Sequence, residues 1–250
     1  MCKRQCLTSV VSAILLAAAP MGKTLAADSD GWTWVVAPYI WASSVRTNLN
    51  VDLPPIQNNT TTDFGTLISK LSFAAELHLE AQTDNYGFLG DIMYISADDS
   101  HNRPHFNSHS SVSGSIADLA VVWSPDDTRL SGFEGFAGVR NFGTTFDFKL
   151  AAVDPAIPQA HVRVNDNWTD FLIGVRYTAP VSQRWAITFR GDGGFGDTDG
   201  NYNASVAARY STSNGAWIFG YRYMDTRFKT SGRDFDLEMY GPEIGYAFVF

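Results

Sequence analysis

Three titratable residues, Glu76, His78 and Glu80, occupy alternate positions within the segment Leu71 to Thr83. Alternate residues of a β-strand lie on one face, about 6.5 to 7 Å apart along the chain. A carboxylate beside an imidazole can orient the ring so that it acts as a general base. His78 is therefore the candidate base for a catalytic function. The favoured alternative places His78 in a structural network of ion pairs, so we expect no catalytic residue and no enzyme.

A second group, His101, His105 and His109, has a spacing of four residues. Three imidazoles could bind zinc or copper. On a helix this spacing would stack the rings, but Pro104 and the surrounding Asn and Ser residues predict an irregular loop. We therefore expect a solvated loop without a metal or other cofactor, and keep the three histidines as a secondary candidate for a metal site.

The segment that carries His78 alternates between apolar and polar side chains. Its apolar positions share one face, and Glu76, His78, Glu80 and Gln82 share the other. About ten segments show this alternation, each near the ~9 to 11 residues that a tilted membrane strand needs. An apolar face toward lipid and a charged face toward a lumen predict an all-β, closed, antiparallel, up-and-down transmembrane β-barrel. The segments are Trp32 to Trp41, Leu71 to Thr83, Gly87 to Ala97, Val112 to Trp123, Phe133 to Phe146, Asp170 to Tyr177, Trp185 to Arg190, Tyr202 to Tyr210, Trp217 to Tyr223 and Phe235 to Phe250.

The last segment ends in Gly245-Tyr246-Ala247-Phe248-Val249-Phe250. Aromatic residues at every second position suit the closing strand of a membrane barrel. The pattern resembles the C-terminal signal by which bacterial outer-membrane barrels are recognised for insertion, with Gly245, Phe248 and Phe250 as its elements. This resemblance implies the barrel-insertion machinery as a partner.

The opposite end of the chain has the features of a secretory signal peptide. Lys3 and Arg4 precede an apolar run from Val10 to Ala19, and Thr24-Leu25-Ala26 provides small residues for a cleavage site. We therefore assign residues 1–26 to a cleaved signal peptide and residues 27–250 to one barrel domain. Both cysteines of the chain precede the apolar run, so the mature protein has no disulfide framework.

Composition agrees with an exported barrel. Mean hydropathy is −0.11 although aromatic residues reach 14%, as expected where apolar and polar residues alternate. Removal of the signal peptide takes away Lys3, Arg4 and Lys23 but no acid, so a net charge of −8 becomes −11. Such a charge repels nucleic acid. The expected partners are outer-membrane lipids and lipopolysaccharide, whose phosphates can meet cations of the loops.

The connections between segments differ in length in a way that predicts orientation. Long polar loops are expected around Thr47 to Ser69, Asp98 to Ser110 and Asp147 to Val164, whereas the intervening connections are short. Because outer-membrane barrels have short periplasmic turns, both termini should be periplasmic and the long loops extracellular. A count of eight strands, with two segments outside the wall, is the alternative to ten. A secreted soluble β-sandwich is the competing fold.

Several blocks of the chain resemble a poorly characterised family of small proteobacterial outer-membrane barrels. They are Trp34 to Trp41, Phe73 to Glu80, Phe88 to Asp91, Arg190 to Gly196 and Gly220 to Tyr223. More loosely, the chain is similar to OmpA-like and OmpW-like barrels. The resemblance implies a location in the cell outer membrane and a barrel fold, and it brings no catalytic motif or substrate.

The face opposite the apolar one carries both acids and bases. In a barrel of eight to ten strands the interior is narrow and largely filled by side chains, so these charges predict a lumen plugged by ion pairs. The favoured function is a structural or surface-interaction barrel. A narrow, porin-like passive channel for small solutes is the alternative, and an enzyme that hydrolyses lipid or peptide is the third. The predicted lumen residues are Glu76, His78, Glu80, Asp91, Asp118, Glu134, Arg140, Asp170, Arg176, Arg190, Asp192, Arg209, Arg222 and Glu243.

Tryptophan and tyrosine residues recur near the predicted strand ends. Amphipathic rings settle at the depth of the lipid headgroups, so we expect them to anchor the barrel in the membrane. The predicted anchors are Trp32, Trp34, Trp41, Tyr86, Trp123, Trp168, Trp185, Tyr210 and Trp217.

Overall fold

The computed structural model describes residues 31–52, 55–63, 65–66, 71–102, 106–125, 130–152, 160–230 and 233–250. The predicted signal peptide lies outside them. Within the described part of the chain, no helix is long and apolar enough to cross a membrane. One antiparallel sheet contains all of the strands, which are β1 (Thr33–Trp41), β2 (Ser44–Asp52), β3 (Pro55–Thr62), β4 (Leu71–Gln82), β5 (Tyr86–Asn102), β6 (Phe106–Trp123), β7 (Gly132–Ala152), β8 (Ala160–Pro180), β9 (Trp185–Gly196), β10 (Asn201–Thr212), β11 (Gly215–Thr230) and β12 (Arg233–Val249).

Ten strands form a closed wall. Their order is β1-β4-β5-β6-β7-β8-β9-β10-β11-β12, and β12 pairs with β1 to close the barrel. At the closure the backbones of Trp34 and Phe250 exchange hydrogen bonds of 3.1 and 2.9 Å. Closure leaves no free edge along the wall at this end, which is the arrangement that membrane barrels require. The predicted fold is confirmed, with ten wall strands in place of the alternative eight.

The strands β2 and β3 form a hairpin outside the ten-stranded order. β2 continues β1 after a break at Ala42 and Ser43, and it pairs with the first half of β12. β3 pairs with β2. The prediction of a long loop from Thr47 to Ser69 is therefore wrong for most of its length, because the backbone there continues the sheet beyond the wall.

The other two predicted loops are also largely strand. β5 continues to Asn102, and β6 begins at Phe106. Likewise, β7 continues to Ala152, and β8 begins at Ala160. Hairpin pairing satisfies the backbone groups of these segments. The backbones of His101 and His109 thus lie in β5 and β6, where His101 pairs with Ser108 and Ser100 pairs with His109. This contradicts the predicted irregular loop, whereas His105 lies outside the described residues.

Apolar side chains cover the outside of the wall. Aromatic residues form one girdle at the end with the short turns and the two termini, and a second girdle about eight to ten residues farther along the strands. On β9, for example, Trp185 and Phe195 are 43% and 63% exposed at the two levels. The exposed rings of the first girdle are Trp32, Trp34, Tyr86, Trp123, Phe133, Tyr177, Trp185 and Trp217, and those of the second are Tyr94, Phe195 and Tyr202.

The pairing between β1 and β4 is short. It runs from Thr33 opposite Gln82 to Pro38 opposite Leu77, and it ends where Pro38 has no N–H to donate. Beyond that point β1 pairs with β12 and the start of β4 pairs with β5. The Glu76 carboxylate spans this seam, accepting a hydrogen bond of 2.5 Å from the backbone N–H of Trp41.

Candidate functional site in the barrel lumen

Strand alternation turns every second side chain toward the lumen, and the wall is narrow enough for these side chains to meet. Arg140 of β7 is fully buried and occupies the centre of the resulting ion cluster. Its guanidinium donates bidentate hydrogen bonds of 2.7 and 2.6 Å to Asp118 and lies 2.8 Å from Asp192. Arg190 donates to Asp192 at 2.7 Å and lies 3.5 Å from Asp118. Two arginines thus share two carboxylates, which compensates the cost of removing these charges from water.

Asp170 of β8 is fully buried directly opposite Arg140 in the pairing of β7 with β8, although it forms no ion pair within 4.0 Å with any arginine that the structure describes. It accepts hydrogen bonds from the backbone N–H and the hydroxyl of Thr198, and from the Asn201 amide at 2.5 Å. The side-chain carbonyl of Asn201 in turn accepts a hydrogen bond of 2.8 Å from Arg140. Neutral donors therefore satisfy this carboxylate and connect it to the ion cluster.

A second line of contacts runs across the lumen from the ion cluster to β4. Asn203 donates to Asp192 at 2.8 Å and accepts from Arg222 at 2.8 Å. Asp91 accepts a hydrogen bond of 2.7 Å from the Tyr39 hydroxyl, and the oxygen of this hydroxyl lies 3.4 Å from Arg222. The imidazole of His78 lies between two carboxylates, with Nδ1 3.1 Å from Asp91 and Nε2 3.3 Å from Glu80.

Glu80 belongs to a lower group of charges, nearer the short turns. Arg176 contacts Glu80 at 2.5 Å and Glu134 at 2.6 Å. The Gln82 amide donates to the same two carboxylates at 2.5 and 2.6 Å. Glu134 is fully buried. Through Glu80 and His78 the lower group joins the central cluster, so one connected polar network crosses the lumen.

Leu130, from the turn between β6 and β7, enters the mouth of the barrel at this end. Its backbone N–H donates a hydrogen bond of 2.9 Å to the side-chain oxygen of Gln82, and its carbonyl oxygen lies 3.4 Å from the Arg209 guanidinium. Its φ of 55° is unusual for a residue with a side chain. The side chain packs against a cluster of Val35, Ala37 and Ala247. The turn therefore narrows the barrel mouth at the end with the short turns.

Apolar side chains border the ion cluster on both sides along the barrel axis. Toward the mouth, Leu89, Ala120, Val122, Phe136 and Leu172 form one buried group. Toward the opposite end, a larger apolar cluster contains Trp41, Met93, Ile116, Phe142, Met224, Phe228 and Met239, with Trp168 packed against it. Phe228 of β11 contacts Trp168 of β8 at 4.6 Å between ring centroids and Phe142 of β7 at 5.4 Å.

The apolar cluster overturns two of the predicted membrane anchors. Trp41 is 3% exposed and faces the lumen, where the Arg222 guanidinium lies 4.7 Å from its ring centroid. Trp168 also packs on the inner cluster. Both residues lie near the ends of predicted segments, which favours anchoring, but both also occupy the inward phase of the alternation. Their inward position in the alternation was therefore the sequence signal that could have identified both tryptophans as lumen residues.

The fourteen predicted lumen residues all reach the interior, although they differ in their pairing. Twelve belong to or border the polar network, whereas Glu76 hydrogen-bonds the wall at Trp41 and Glu243 borders a cavity. The sequence prediction placed Gln82 on the polar face without naming it as a lumen partner, and it missed the neutral partners Tyr39, Thr198, Asn201 and Asn203. For Gln82, Asn201 and Asn203 the signal was position, since each lies two residues from another inward polar residue. Among the described residues, no group of three His, Cys, Asp or Glu side chains is arranged to hold a metal ion.

The closed ten-stranded wall, the apolar outer surface and the polar interior define an integral outer-membrane β-barrel. The outer-membrane protease OmpT from Escherichia coli has a similar structure, with a TM-score of 0.51 at 9% identity over 91% of this chain and 99% of that one. This likeness shows the fold.

Two other solved barrels give lower scores. The attachment invasion locus protein Ail of Yersinia pestis has a TM-score of 0.39 at 8% identity over 87% of this chain and 99% of that one. The toluene transporter TodX of Pseudomonas putida has a TM-score of 0.24 at 9% identity over 87% and 89%. No family model matches the chain, and no curated protein matches its sequence.

Proposed function

We propose that this protein is a structural and surface-interaction barrel of the outer membrane, with a lumen closed to solutes. The observation that carries the proposal is the connected polar network, in which Arg140, Asp170 and Glu134 are all fully buried. A buried ion pair is retained where further hydrogen bonds complete it, and each of these residues has such bonds. The apolar cluster around Phe228 adds a second obstruction, on the outer side of the network.

The conductance of the refolded mature chain in a planar bilayer tests this proposal. Slower gel migration after heating would first establish that the barrel is folded. We expect no conductance steps from the wild type or from Arg46→Ala, whose guanidinium lies outside the lumen. The double variant Arg140→Ala/Phe228→Ala removes one side chain from each obstruction and should conduct. Discrete steps from the folded wild type would overturn the proposal and establish the narrow channel instead.

Catalysis is not part of the proposed function. Both imidazole nitrogens of His78 face carboxylates within 3.3 Å, and its side chain is 20% exposed. This supports a role for His78 in joining the lower charges to the central cluster. A His78→Gln protein should therefore retain any lipid-hydrolysing or peptide-hydrolysing activity that the wild type shows. Loss of such an activity in a folded His78→Gln barrel would contradict this assignment.

Lipopolysaccharide is the proposed partner at the outer surface. Arg46, Arg163 and Arg227 are exposed cations on strand portions toward the outer end. Cations at this level can meet the phosphates of the outer leaflet. The triple variant with alanine at these positions should bind lipopolysaccharide micelles more weakly than the wild type, while its affinity for phosphatidylcholine is unchanged. Equal binding of both lipids by wild type and variant would exclude this contact.

The C-terminal strand is the proposed contact for the barrel-insertion machinery. Phe248 packs on Tyr246 at 4.9 Å between ring centroids, and Gly245 leaves room for Tyr39, whose Cβ would be 2.8 Å from a Cβ at that position. Phe250→Ala removes an aromatic ring with little change in wall pairing. It should slow insertion in cells more than it slows spontaneous refolding in detergent. An equal effect on both rates would indicate a folding role only.

A further inference from the structure

The lumen contains a partly open cavity of about 120 Å³ on the side where β10, β11, β12 and β1 meet. Ala37, Ile218 and Gly245 line it, each three or four residues from the end of its strand at the short turns. Glu243, Arg222 and Ser205 line the part nearer the centre of the polar network. The cavity therefore lies in the half of the barrel nearer the short turns and is bounded by groups of both charges.

Two charged groups at this cavity are incompletely paired. Within the described residues, no hydrogen bond or ion pair within 4.0 Å reaches the Glu243 carboxylate. The Arg222 side chain is 8% exposed and donates one good bond, from Nε to Asn203 at 2.8 Å. Its Nη1 lies 3.4 Å from the Tyr39 hydroxyl and 3.9 Å from Asp91. A buried guanidinium and a carboxylate thus face the same cavity without forming a pair.

The charges around the cavity restrict what can occupy it. An anion bound to Arg222 would also meet Glu243 and Asp91, and a cation bound to Glu243 would meet Arg222 and Arg190. Either ion alone would be repelled by the lining groups that carry the same charge as the ion. A solute with a carboxylate and an ammonium group would complement both charges. The volume suits a molecule of a few heavy atoms, since an engineered cavity of about 150 Å³ accepts benzene.

We propose that this cavity is a binding site for a small zwitterion of amino-acid size, with its carboxylate toward Arg222 and its ammonium group toward Glu243. Ser205 and Tyr39 border the same space and can complete the hydrogen bonds. Ala37, Ile218 and Gly245 lie on the side of the site toward the short turns. The site does not depend on passage of solutes through the barrel, because the network residues Asp91 and Asn203 form part of its wall and the apolar cluster lies beyond them.

Saturation-transfer NMR on the refolded protein in detergent micelles tests the proposal with three probes of similar size. Glycine is the zwitterion, acetate the anion and glycinamide the cation. We expect saturable binding of glycine, and binding of acetate and glycinamide at least about tenfold weaker, because each lacks one charge-assisted bond. Absence of glycine binding would overturn the proposal and indicate a cavity occupied by water. Equal binding of all three probes would also overturn it, because the charges of the cavity would then not select a zwitterion.

Two variants and one control locate the site. Glu243→Gln should weaken glycine binding by about tenfold or more, because it removes the partner of the ammonium group. Glu238 lies on the same strand but outside the cavity, so the control variant Glu238→Gln should bind glycine as the wild type does. Wild-type affinity in a folded Glu243→Gln barrel would refute the assignment.

A second cavity variant covers the case in which Glu243→Gln does not fold. Ser205→Leu fills the cavity while leaving its charges in place, so it should abolish glycine binding. Retained glycine binding in Ser205→Leu would also refute the site. Heat-dependent gel migration identifies the folded proteins, and conductance is measured separately. Failure of the binding proposal therefore leaves the proposal of a closed lumen untouched, and the reverse also holds.

Discussion

The interior of this barrel contains two adjacent layers that are stabilised by different means. In the ion cluster, Arg140, Asp118 and Asp192 fill the section with charges that satisfy one another at 2.6 to 2.8 Å. One inward position farther along β7 and β6, Phe142 and Ile116 belong to the apolar cluster. Charged groups need defined partners at defined angles, whereas apolar groups need volume and contact. The same wall thus supports one layer by directional bonds and the next by packing.

The adjacency of the layers strengthens the first of them. Asp91 lies between Leu89 and Met93 along its face of β5, and Asp118 lies between Ala120 and Ile116 on β6, so apolar side chains border the ion cluster on both sides. Exclusion of water lowers the local dielectric constant, which strengthens each satisfied hydrogen bond and raises the cost of each broken one. The comparison therefore predicts a steep penalty for single changes in the ion cluster.

Arg140→Ala should give the largest effect. It removes one of the two cations that the buried Asp118 and Asp192 share, together with the bidentate bond to Asp118, at a cost of about 3 to 5 kcal/mol in the free energy of unfolding. Urea titration of the protein in lipid vesicles, followed by tryptophan fluorescence, measures this cost. A loss below about 1 kcal/mol, the value typical of surface pairs, would mean that water reaches the cluster.

Phe228→Ala should weaken the apolar cluster by about 3 kcal/mol, because it removes a 5% exposed ring that joins β11 to β7 and β8. Phe228→Leu keeps most of the volume and serves as the matched control, with an expected loss of about 1 to 1.5 kcal/mol. The same urea titration compares the two variants. If leucine and alanine destabilise equally, the specific ring contacts matter more than the filled volume.

Glu76→Ala tests the seam between β1 and β4. The backbone N–H of Trp41 loses its acceptor, so we expect a loss of about 1 to 3 kcal/mol and faster hydrogen exchange at that amide. Glu76→Gln keeps an acceptor and should lie within about 1 kcal/mol of the wild type. Unchanged exchange at Trp41 in Glu76→Ala would show that another group closes the seam.

Arg46→Ala should give the smallest effect. Arg46 forms hydrogen bonds of 3.1 and 3.0 Å with Glu238 on the outer part of β12, but its side chain is 44% exposed. Such a pair contributes about 0 to 1 kcal/mol, and less at high salt. Urea titration at low and high salt checks this value. A larger, salt-independent loss would place this pair in a drier environment than its exposure indicates.

Much of the wall was predictable because a period of two assigns each residue to a face. The inward positions of Arg140, Asp118 and Asp170 follow from that period, as does the outward position of Phe171. The outer strand extensions were not predicted, because polar residues on both faces remove the alternation that marks a strand. The inward tryptophans were missed for another reason, since Trp41 near a strand end looks like a membrane anchor.

The partners within the lumen were less predictable. The alternation places Arg140 and Asp192 inside, but their contact at 2.8 Å depends on the stagger of strands that are not neighbours in the wall. Likewise, Asn201 meets Asp170 only because the short β9–β10 hairpin brings it beside β8. Neutral residues such as Asn203 carry no charge signal, so their role as connectors emerged only from the geometry.

The sequence by itself determined the class of fold, the two faces of the wall and the set of charges placed inside, because each depends on the local period of the chain. The tertiary structure decided which charges pair, where the apolar cluster lies across the interior and where a cavity remains beside Glu243. These features depend on how ten strands are staggered as the sheet closes. That stagger is a property of the whole barrel, and no single segment of the sequence encodes it.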